Sequence, residues 1–214
     1  MTDSTTGRQR QRFRRKDARP AEIVTAAMSL FAERGFAATR LEDVAAAAGI
    51  GKGTIYLYFS NKEELFKAVV RQEQLPRLEA AETLLHHHKG TTASLLRIIF
   101  GVIAEAIESD ITAIPKLVMT EAGNFPELSR FYGDAVIKRG HGLLAMVIAR
   151  GVESGEFRPV DPRNLMPIFI GPILMMALWK HSLGRHTDIQ FPIRPVLETH
   201  LDMLLRGLAP EKTP

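Results

Sequence analysis

The sequence predicts an all-α protein of about nine helices, and three observations support that prediction. Segments with regular hydrophobic spacing repeat with the helical period, and no run alternates apolar and polar residues long enough to indicate a strand. Prolines stand near the predicted helix starts and glycines near the predicted ends, which is their usual distribution. The 214 residues are 45% hydrophobic and 24% charged, which is typical of a globular chain with a sizeable core.

The chain begins with a basic arm, followed by the first predicted helix. Seven arginines and lysines precede Pro20, and the segment 1–18 has no periodic apolar positions. We therefore expect a flexible arm there, of a charge that favours a polyanionic partner. The first helix is predicted from Pro20, a good first-turn residue, to Gly35. Its apolar positions at helical spacing are Ile23, Ala27, Leu30 and Phe31.

Two shorter helices are predicted next, separated by a glycine-rich turn. Thr39 and Glu42 have the spacing of a capping box at the start of the second helix, which ends at Gly49. The third helix is predicted over residues 54–59, after a turn that contains Gly53. Together they have the spacing of a helix-turn-helix, whose second helix lies in the major groove of DNA.

A long fourth helix is predicted from Lys62 to about His88. Ser60 and Glu63 form a second capping-box pair before it. Pro76, in the segment Gln74-Leu75-Pro76, is expected to kink the helix. The remaining predicted helices cover residues 92–109, 112–123, 126–154, 162–184 and 193–208.

These elements divide the chain into two domains of different size. A helix-turn-helix DNA-binding domain of three helices is expected over 19–66, and the fourth helix links it onward to about residue 88. A larger helical domain is expected over 89–214. The Lys-Gly-Thr-Thr segment at 89–92 is the best candidate for the boundary between them.

Composition and motifs exclude several functions. The chain has no cysteine, which excludes a disulfide scaffold, a thiol nucleophile and cysteine-based metal sites. It carries no P-loop, nucleophile elbow or zinc-protease motif. The three consecutive histidines 86–88 are interpreted as a solvated helix end, because adjacent side chains on a helix point in different directions. We therefore expect no enzyme activity, no metal and no cofactor.

The sequence also predicts a cytoplasmic protein. The basic N-terminus leads into no continuous apolar segment of the kind found in secretory signals. The longest uncharged stretch near the C-terminus, 164–179, is short for a membrane span and contains two prolines. We expect no membrane partner.

The turn and third helix have an apolar side and a polar side. Ile50, Ile55 and Phe59 are predicted to pack inward. The residues left on the outside, which we expect to contact DNA, are Lys52, Gly53, Thr54, Tyr56 and Tyr58. Tyrosine hydroxyls can reach phosphates or base edges, and glycine lets the backbone approach the duplex closely. Lys62, at the start of the next helix, is expected to add a cation near the same phosphates.

The stretch from Ala21 to Val70 resembles the DNA-binding domain of the TetR/AcrR repressors. The resemblance is carried by AAMSLFAERGF at 26–36, TRLEDVAAAAGI at 39–50, GKGTIYLYF at 51–59 and NKEELF at 61–66. It implies an all-α homodimer that binds a palindromic operator in double-stranded DNA and is released by a small-molecule effector. It implies the same DNA contacts, and it adds Thr39, which would meet a phosphate.

The resemblance implies that the C-terminal domain binds the effector and forms the dimer. A hydrophobic or amphipathic effector is expected between helices of the 92–184 region. Most large apolar residues there must belong to the core, and the candidates for a pocket wall are Phe100, Met119, Phe125, Tyr132, Met146, Phe169, Met175 and Trp179. The helices at 162–184 and 193–208 have broad apolar faces, which favours a two-fold dimer interface. A regulator that binds DNA constitutively, without a ligand, is the alternative.

Overall fold

The computed structural model describes the backbone of residues 4–210 and the side chains of residues 19–109 and 111–210. The basic side chains of the predicted arm, 1–18, therefore lie outside the described residues. The backbone from Ser4 is helical and continues into the first helix, so this helix starts well before the predicted position at Pro20. Arginine, glutamine and lysine dominate the added segment, and all three are good helix formers.

All nine predicted helices are present in the described residues, which contain no strand, and two of the nine are divided. The predicted helix 62–88 breaks at Gln74, with Pro76 in the first turn of the new helix. The predicted helix 126–154 contains a π-helical turn at Gly133–Ile137. The α-helices are α1 Ser4–Ala38, α2 Leu41–Ala47, α3 Lys52–Ile55, α4 Lys62–Glu73, α5 Leu75–His87, α6 Thr92–Glu108, α7 Ala113–Glu121, α8 Pro126–Tyr132, α9 Lys138–Glu153, α10 Pro162–His181 and α11 Ile193–Leu208.

The chain forms two compact units, Met1–Gln72 and Glu73–Pro214. The core of the first unit is centred on the buried rings of Phe31, Phe36 and Phe66. Their ring centroids lie between 5.5 and 6.1 Å apart in tilted and edge-to-face pairs. Aromatic side chains dominate core energetics, so this cluster holds α1 against α4.

The helical geometry of α1 is interrupted at Gly35, where the sequence predicts the end of the first helix. The φ of Gly35 is +82°, in the left-handed region that glycine adopts without a steric penalty.

The capping box predicted at the start of α2 is wrong by one residue. The helix begins after Arg40, whose backbone N–H donates to the Asp43 carboxylate at 3.3 Å. Thr39 and Glu42 have the right spacing, but both side chains have partners elsewhere in the unit.

The second predicted capping box, at Ser60 and Glu63, is wrong in the same way. The residue that caps α4 is Asn61, whose Oδ1 accepts a hydrogen bond from the backbone N–H of Glu64 at 2.8 Å. Asparagine is as good an N-cap as serine, so spacing alone did not choose between the two neighbours.

The second unit contains α5 to α11, with α6 packed against α11 at its centre. Phe100 of α6 and Phe169 of α10 meet edge to face with ring centroids 5.2 Å apart. α5 belongs to this unit, because Arg139 of α9 holds Glu82 of α5 through hydrogen bonds of 2.9 Å to both carboxylate oxygens. The division between the units therefore falls one helix before the boundary predicted at 89–92.

One segment of the described chain, Pro162–Arg185, is long and apolar enough to span a membrane by length and composition alone. Its most apolar window is 39% buried within the protein. Leu165, Phe169 and Ile173 of this segment belong to the core of the second unit. The core helix of a globular protein meets the same criteria of length and composition.

Candidate DNA-binding surface

The turn between α2 and α3 is closed by a glycine in the left-handed conformation. Gly49 has a φ of +64°, and the next residue, Ile50, donates its backbone N–H to the carbonyl of Ala45 at 2.9 Å. This arrangement satisfies a carbonyl that the end of α2 would otherwise leave unpaired. It reverses the chain within a few residues, which sets the start of α3.

α3 spans Lys52–Ile55 and continues as a turn through Tyr58, so it starts earlier and is shorter than predicted. Ile55 and Phe59 are buried, as predicted, and Ile50 is half-buried. The apolar residues therefore fix this segment in the core of the first unit, while its polar residues remain at the surface.

The predicted DNA-contact residues of this segment lie together at that surface. Three are exposed and two are half-buried; in chain order they are Lys52, Gly53, Thr54, Tyr56 and Tyr58. Leu57 is 82% exposed, more than any other large apolar residue among those described, and sequence reasoning did not select it. The signal in the sequence that could have found it is its position between Tyr56 and Tyr58, two residues already selected as DNA contacts.

Glu42 binds two of these side chains at once. Its Oε1 accepts a hydrogen bond from the ammonium of Lys52 and another from the hydroxyl of Tyr56, each at 3.0 Å. The hydrogen bond from Lys52, followed by one from the backbone and the one from Tyr56, lowers the pKa of Glu42 to about 2. The hydrogen bond to Glu42 in turn raises the pKa of Lys52 and the pKa of Tyr56. At neutral pH Glu42 is therefore negative, Lys52 positive and Tyr56 neutral.

Neither the backbone conformation nor the packing of the free protein requires a glycine at position 53. Its φ is not in the left-handed region, and a Cβ added at this position would meet no atom within 4 Å. Glycine inside a helix is less stable than alanine by about 0.5–1 kcal/mol, so it is unfavourable for α3. The close approach of a partner to the backbone would explain it, because any side chain would stand in the way.

We expect Gly53→Ala to preserve or raise the melting temperature and to weaken DNA binding. The methyl group has space in the free protein and favours the helix, but it projects from the surface that would face the duplex. A melting curve beside a titration with duplex DNA checks both effects, with Gly142→Ala in α9 as the control, since a Cβ there also meets no atom within 4 Å. DNA affinity that stays unchanged would mean that nothing approaches Gly53 closely.

Thr39 is turned into the first unit, with 1% of its surface exposed. Its hydroxyl donates to the carbonyl of Gly35 at 2.7 Å, and its backbone N–H donates to the carbonyl of Phe36 at 3.3 Å. The hydroxyl and the backbone N–H of Thr39 therefore both form hydrogen bonds with carbonyls near the end of α1. The phosphate contact that the resemblance implies would require Thr39 to leave these partners.

Lys62 is bound to the same region of the chain. Its ammonium donates to the carbonyl of Phe36 at 2.6 Å and to that of Ala37 at 3.0 Å, and it lies 4.4 Å from the centroid of the Phe36 ring. A cation at these carbonyls complements the negative end of a helix. Two of the three donors of Lys62 are used within the unit, so the predicted contact with phosphates would compete with these hydrogen bonds.

The eight candidates for an effector pocket differ in their burial. Three of them are buried in the core of the second unit: Phe100, Tyr132 and Phe169. Burial raises the pKa of the Tyr132 phenol, which therefore stays neutral. Three are exposed: Met119, Met146 and Met175. Two are half-buried: Phe125 and Trp179.

A groove of about 340 Å³ lies between α6 and α11. Its apolar lining consists of Phe100, Gly101, Ala104, Leu197, Leu201 and Leu205. Its charged lining consists of Arg97, Arg194, Glu198 and Asp202. This volume lies near the lower end of the range of small-molecule sites, and four of the ten lining residues are charged. Of the eight predicted pocket residues this groove contains Phe100, and one of its walls lies outside the 92–184 region in which the effector was expected.

Two family models match this chain. Residues 23–69 match the model described as bacterial regulatory proteins, tetR family. Residues 87–190 match the model described as tetracyclin repressor-like, C-terminal domain. The first match contains the whole helix-turn-helix described above, and the second contains helices α6 to α10.

Individual relatives agree with the family models. The HTH-type transcriptional repressor KstR2 of Mycobacterium tuberculosis is 31% identical over 197 residues, covering 91% of this chain and 95% of the relative. The structure of the ketosteroid transcriptional regulator KstR2 of Mycobacterium tuberculosis matches with a TM-score of 0.64 at 26% identity, covering 90% of this chain and 96% of that one. The transcriptional regulator FadR of Bacillus subtilis, solved in complex with stearoyl-CoA, matches with a TM-score of 0.75 at 21% identity, covering 88% of this chain and 98% of that one. The chain therefore belongs to the TetR family of bacterial transcriptional regulators, which are DNA-binding proteins and not enzymes.

Proposed function

We propose that this protein is a repressor that binds a palindromic operator as a homodimer and is released by a small hydrophobic or amphipathic molecule. The observation that carries the proposal is the exposed polar segment of the helix-turn-helix, from Lys52 to Tyr58, held in place by the buried Ile55 and Phe59. KstR2 is named as a repressor, and FadR was solved with stearoyl-CoA, which supports the sign of regulation and the kind of effector.

Exposed apolar side chains on α10 and α11 support a dimer. Ile168 and Met175 are 59% and 50% exposed, and their spacing of i and i+7 places them on one face of α10. Met203 on α11 is 67% exposed. Apolar surface of this kind is typical of an interface between subunits. A two-fold interface here would match the two-fold symmetry of a palindromic operator.

In the dimer, two copies of α3 would enter successive major grooves about one helical turn, roughly 34–36 Å, apart. Thr54 and the two tyrosines would then reach base edges and the sugar-phosphate backbone, while Lys52 would meet phosphates. DNA binding by the purified protein, tested on the DNA beside its own gene, checks the proposal directly. Failure to bind any duplex at low salt would reject it.

Tyr56→Ala should reduce operator affinity by roughly 10- to 100-fold and affinity for random DNA much less, because a base contact carries sequence information and a phosphate contact does not. The melting temperature should change little, since the side chain is exposed and its described hydrogen bond is at the surface. Tyr56→Phe separates the ring from the hydroxyl in the same titrations. Equal losses on operator and random DNA would show that Tyr56 reads no base.

The groove between α6 and α11 is the site we propose for the effector. Its apolar lining suits a hydrocarbon chain or ring system, and Arg97 suits an acidic group at the end of it. A thermal-shift screen should include long-chain acyl-CoA, fatty acids and steroids, the classes suggested by the two named relatives. A true effector must also lower operator affinity, because a ligand with equal affinity for both states shifts nothing. A screen that finds no such molecule would favour the constitutive alternative.

Gly101→Trp should abolish the thermal shift produced by the effector and leave operator binding without effector intact. A Cβ at position 101 would meet no atom within 4 Å, so the indole would extend into the groove without disturbing the core. Gly142→Trp, at an exposed position of α9 outside the groove lining, is the matched control. An effector that binds both variants equally well occupies another site.

A further inference from the structure

Glu42 is an acidic residue in the middle of a surface expected to meet a polyanion. It lies in the first turn of α2, and its side chain reaches Lys52 at the start of α3 and Tyr56 just after the end of α3. Both donors meet the same carboxylate oxygen at 3.0 Å. The contact therefore links side chains of α2, of α3 and of the turn after α3, where the motif would face the major groove.

The charge of Glu42 works against binding that depends on phosphates alone. A protein that contacts DNA without reading its sequence gains affinity mainly by releasing counterions from phosphates with lysine and arginine. The ion pair with Glu42 offsets the charge of Lys52, and the remaining carboxylate oxygen repels a nearby phosphate. Random DNA would therefore gain little from Lys52.

The same contact leaves the donors able to make specific hydrogen bonds. An ammonium has three donors and a tyrosine hydroxyl can accept as well as donate. After one bond to Glu42, both groups can therefore form further hydrogen bonds. Glu42 limits the rotamers of Lys52 and Tyr56 before DNA arrives, which reduces the conformational entropy lost when a specific contact forms. An operator that offers the right partners at the right positions would benefit from this preorganisation.

We propose that Glu42 is a positioning residue that determines specificity, because it holds Lys52 and Tyr56 in one arrangement and suppresses binding to DNA that offers only phosphates. The inference depends on the DNA-binding function proposed above. An ion pair that served only the stability of the fold would act differently: its removal would shift the melting temperature and leave the ratio of operator to random-DNA affinity unchanged.

Glu42→Gln and Glu42→Ala separate charge from position. Glutamine keeps an oxygen that can accept from Tyr56 and Lys52 but removes the negative charge, whereas alanine removes both. Glu22→Gln is the control, because Glu22 is an exposed glutamate of α1 in the same unit and its substitution changes the net charge equally.

The measurement is the dissociation constant for the operator and for a random duplex of equal length, over a series of salt concentrations. Glu42→Gln should bind random DNA roughly two- to fivefold more tightly, with a steeper salt dependence, by up to about 0.9 in the log–log slope for one recovered phosphate contact. The operator-to-random ratio should fall in Glu42→Gln and fall further in Glu42→Ala. Glu22→Gln should keep the parental ratio.

Two results would overturn the inference in distinguishable ways. If the parent protein prefers its operator and Glu42→Gln keeps the same ratio and slope as Glu22→Gln, Glu42 has no part in specificity and the proposed function stands. If the parent protein prefers no sequence over random DNA, the proposed function fails and the inference fails with it.

Discussion

Ile168→Glu combined with Met175→Glu should give a monomer whose operator affinity is lower by about 100-fold or more. Both side chains are large, apolar and exposed on one face of α10, so the substitutions cost the isolated subunit little. In a dimer they would bring four carboxylates into an apolar interface, where unpaired charges are strongly unfavourable. A monomer then meets one half-site at a time and loses the gain of 10²–10⁴ that linked binding provides.

Sedimentation at micromolar concentration checks the oligomeric state, and titration with the operator checks the loss of affinity. The matched control is Ile137→Glu combined with Met146→Glu, which introduces the same residues at exposed apolar positions outside α10 and α11. We expect the control to remain dimeric and to bind normally. A parent protein that sediments as a monomer, or an α10 variant that remains a dimer, would contradict the assignment of the interface.

Lys62→Met should lower the free energy of unfolding of the first unit by about 1–3 kcal/mol, the range expected when hydrogen bonds to a charged donor are lost. Methionine retains the apolar stem, so the loss reports the ammonium and its contacts with the carbonyls of Phe36 and Ala37. The predicted effect is on stability first, and on DNA binding only through stability.

Lys52→Met is the matched control for this experiment. Lys52 is exposed and its ion pair with Glu42 is at the surface, where such pairs contribute little to stability. We expect a normal melting curve and a smaller salt dependence of operator binding. If Lys62→Met melts like the parent and loses DNA affinity, Lys62 acts on phosphates as the sequence first suggested.

The sequence predicted the helix-turn-helix because its determinants are local. Gly49 ends a helix, and Ile55 and Phe59 mark the apolar side of the next one, whatever the rest of the chain does. Once these apolar positions are assigned to the core, five of the other residues from Lys52 to Tyr58 are the predicted DNA contacts. The family resemblance implies the same contacts and adds Thr39.

The contacts that the sequence did not reveal involve partners that are distant along the chain. Lys62 binds carbonyls 25 and 26 residues before it, and no periodicity indicates that contact. Glu42 looked like part of a capping box, because the pattern of a cap does not reveal a competing lysine on the next helix. The groove between α6 and α11 depends on how two helices that are far apart in the sequence pack together, which is a tertiary property.

The most direct test of the account is selection of duplex DNA by the purified protein from a random-sequence pool. We expect enrichment of one palindromic sequence whose half-sites are centred about one helical turn, roughly 10–10.5 base pairs, or a multiple of it apart. We also expect Tyr56→Ala to enrich the same sequence weakly or not at all. A pool that remains random after selection, or a recovered site without two-fold symmetry, would contradict the proposal that this protein reads DNA as a dimer through α3.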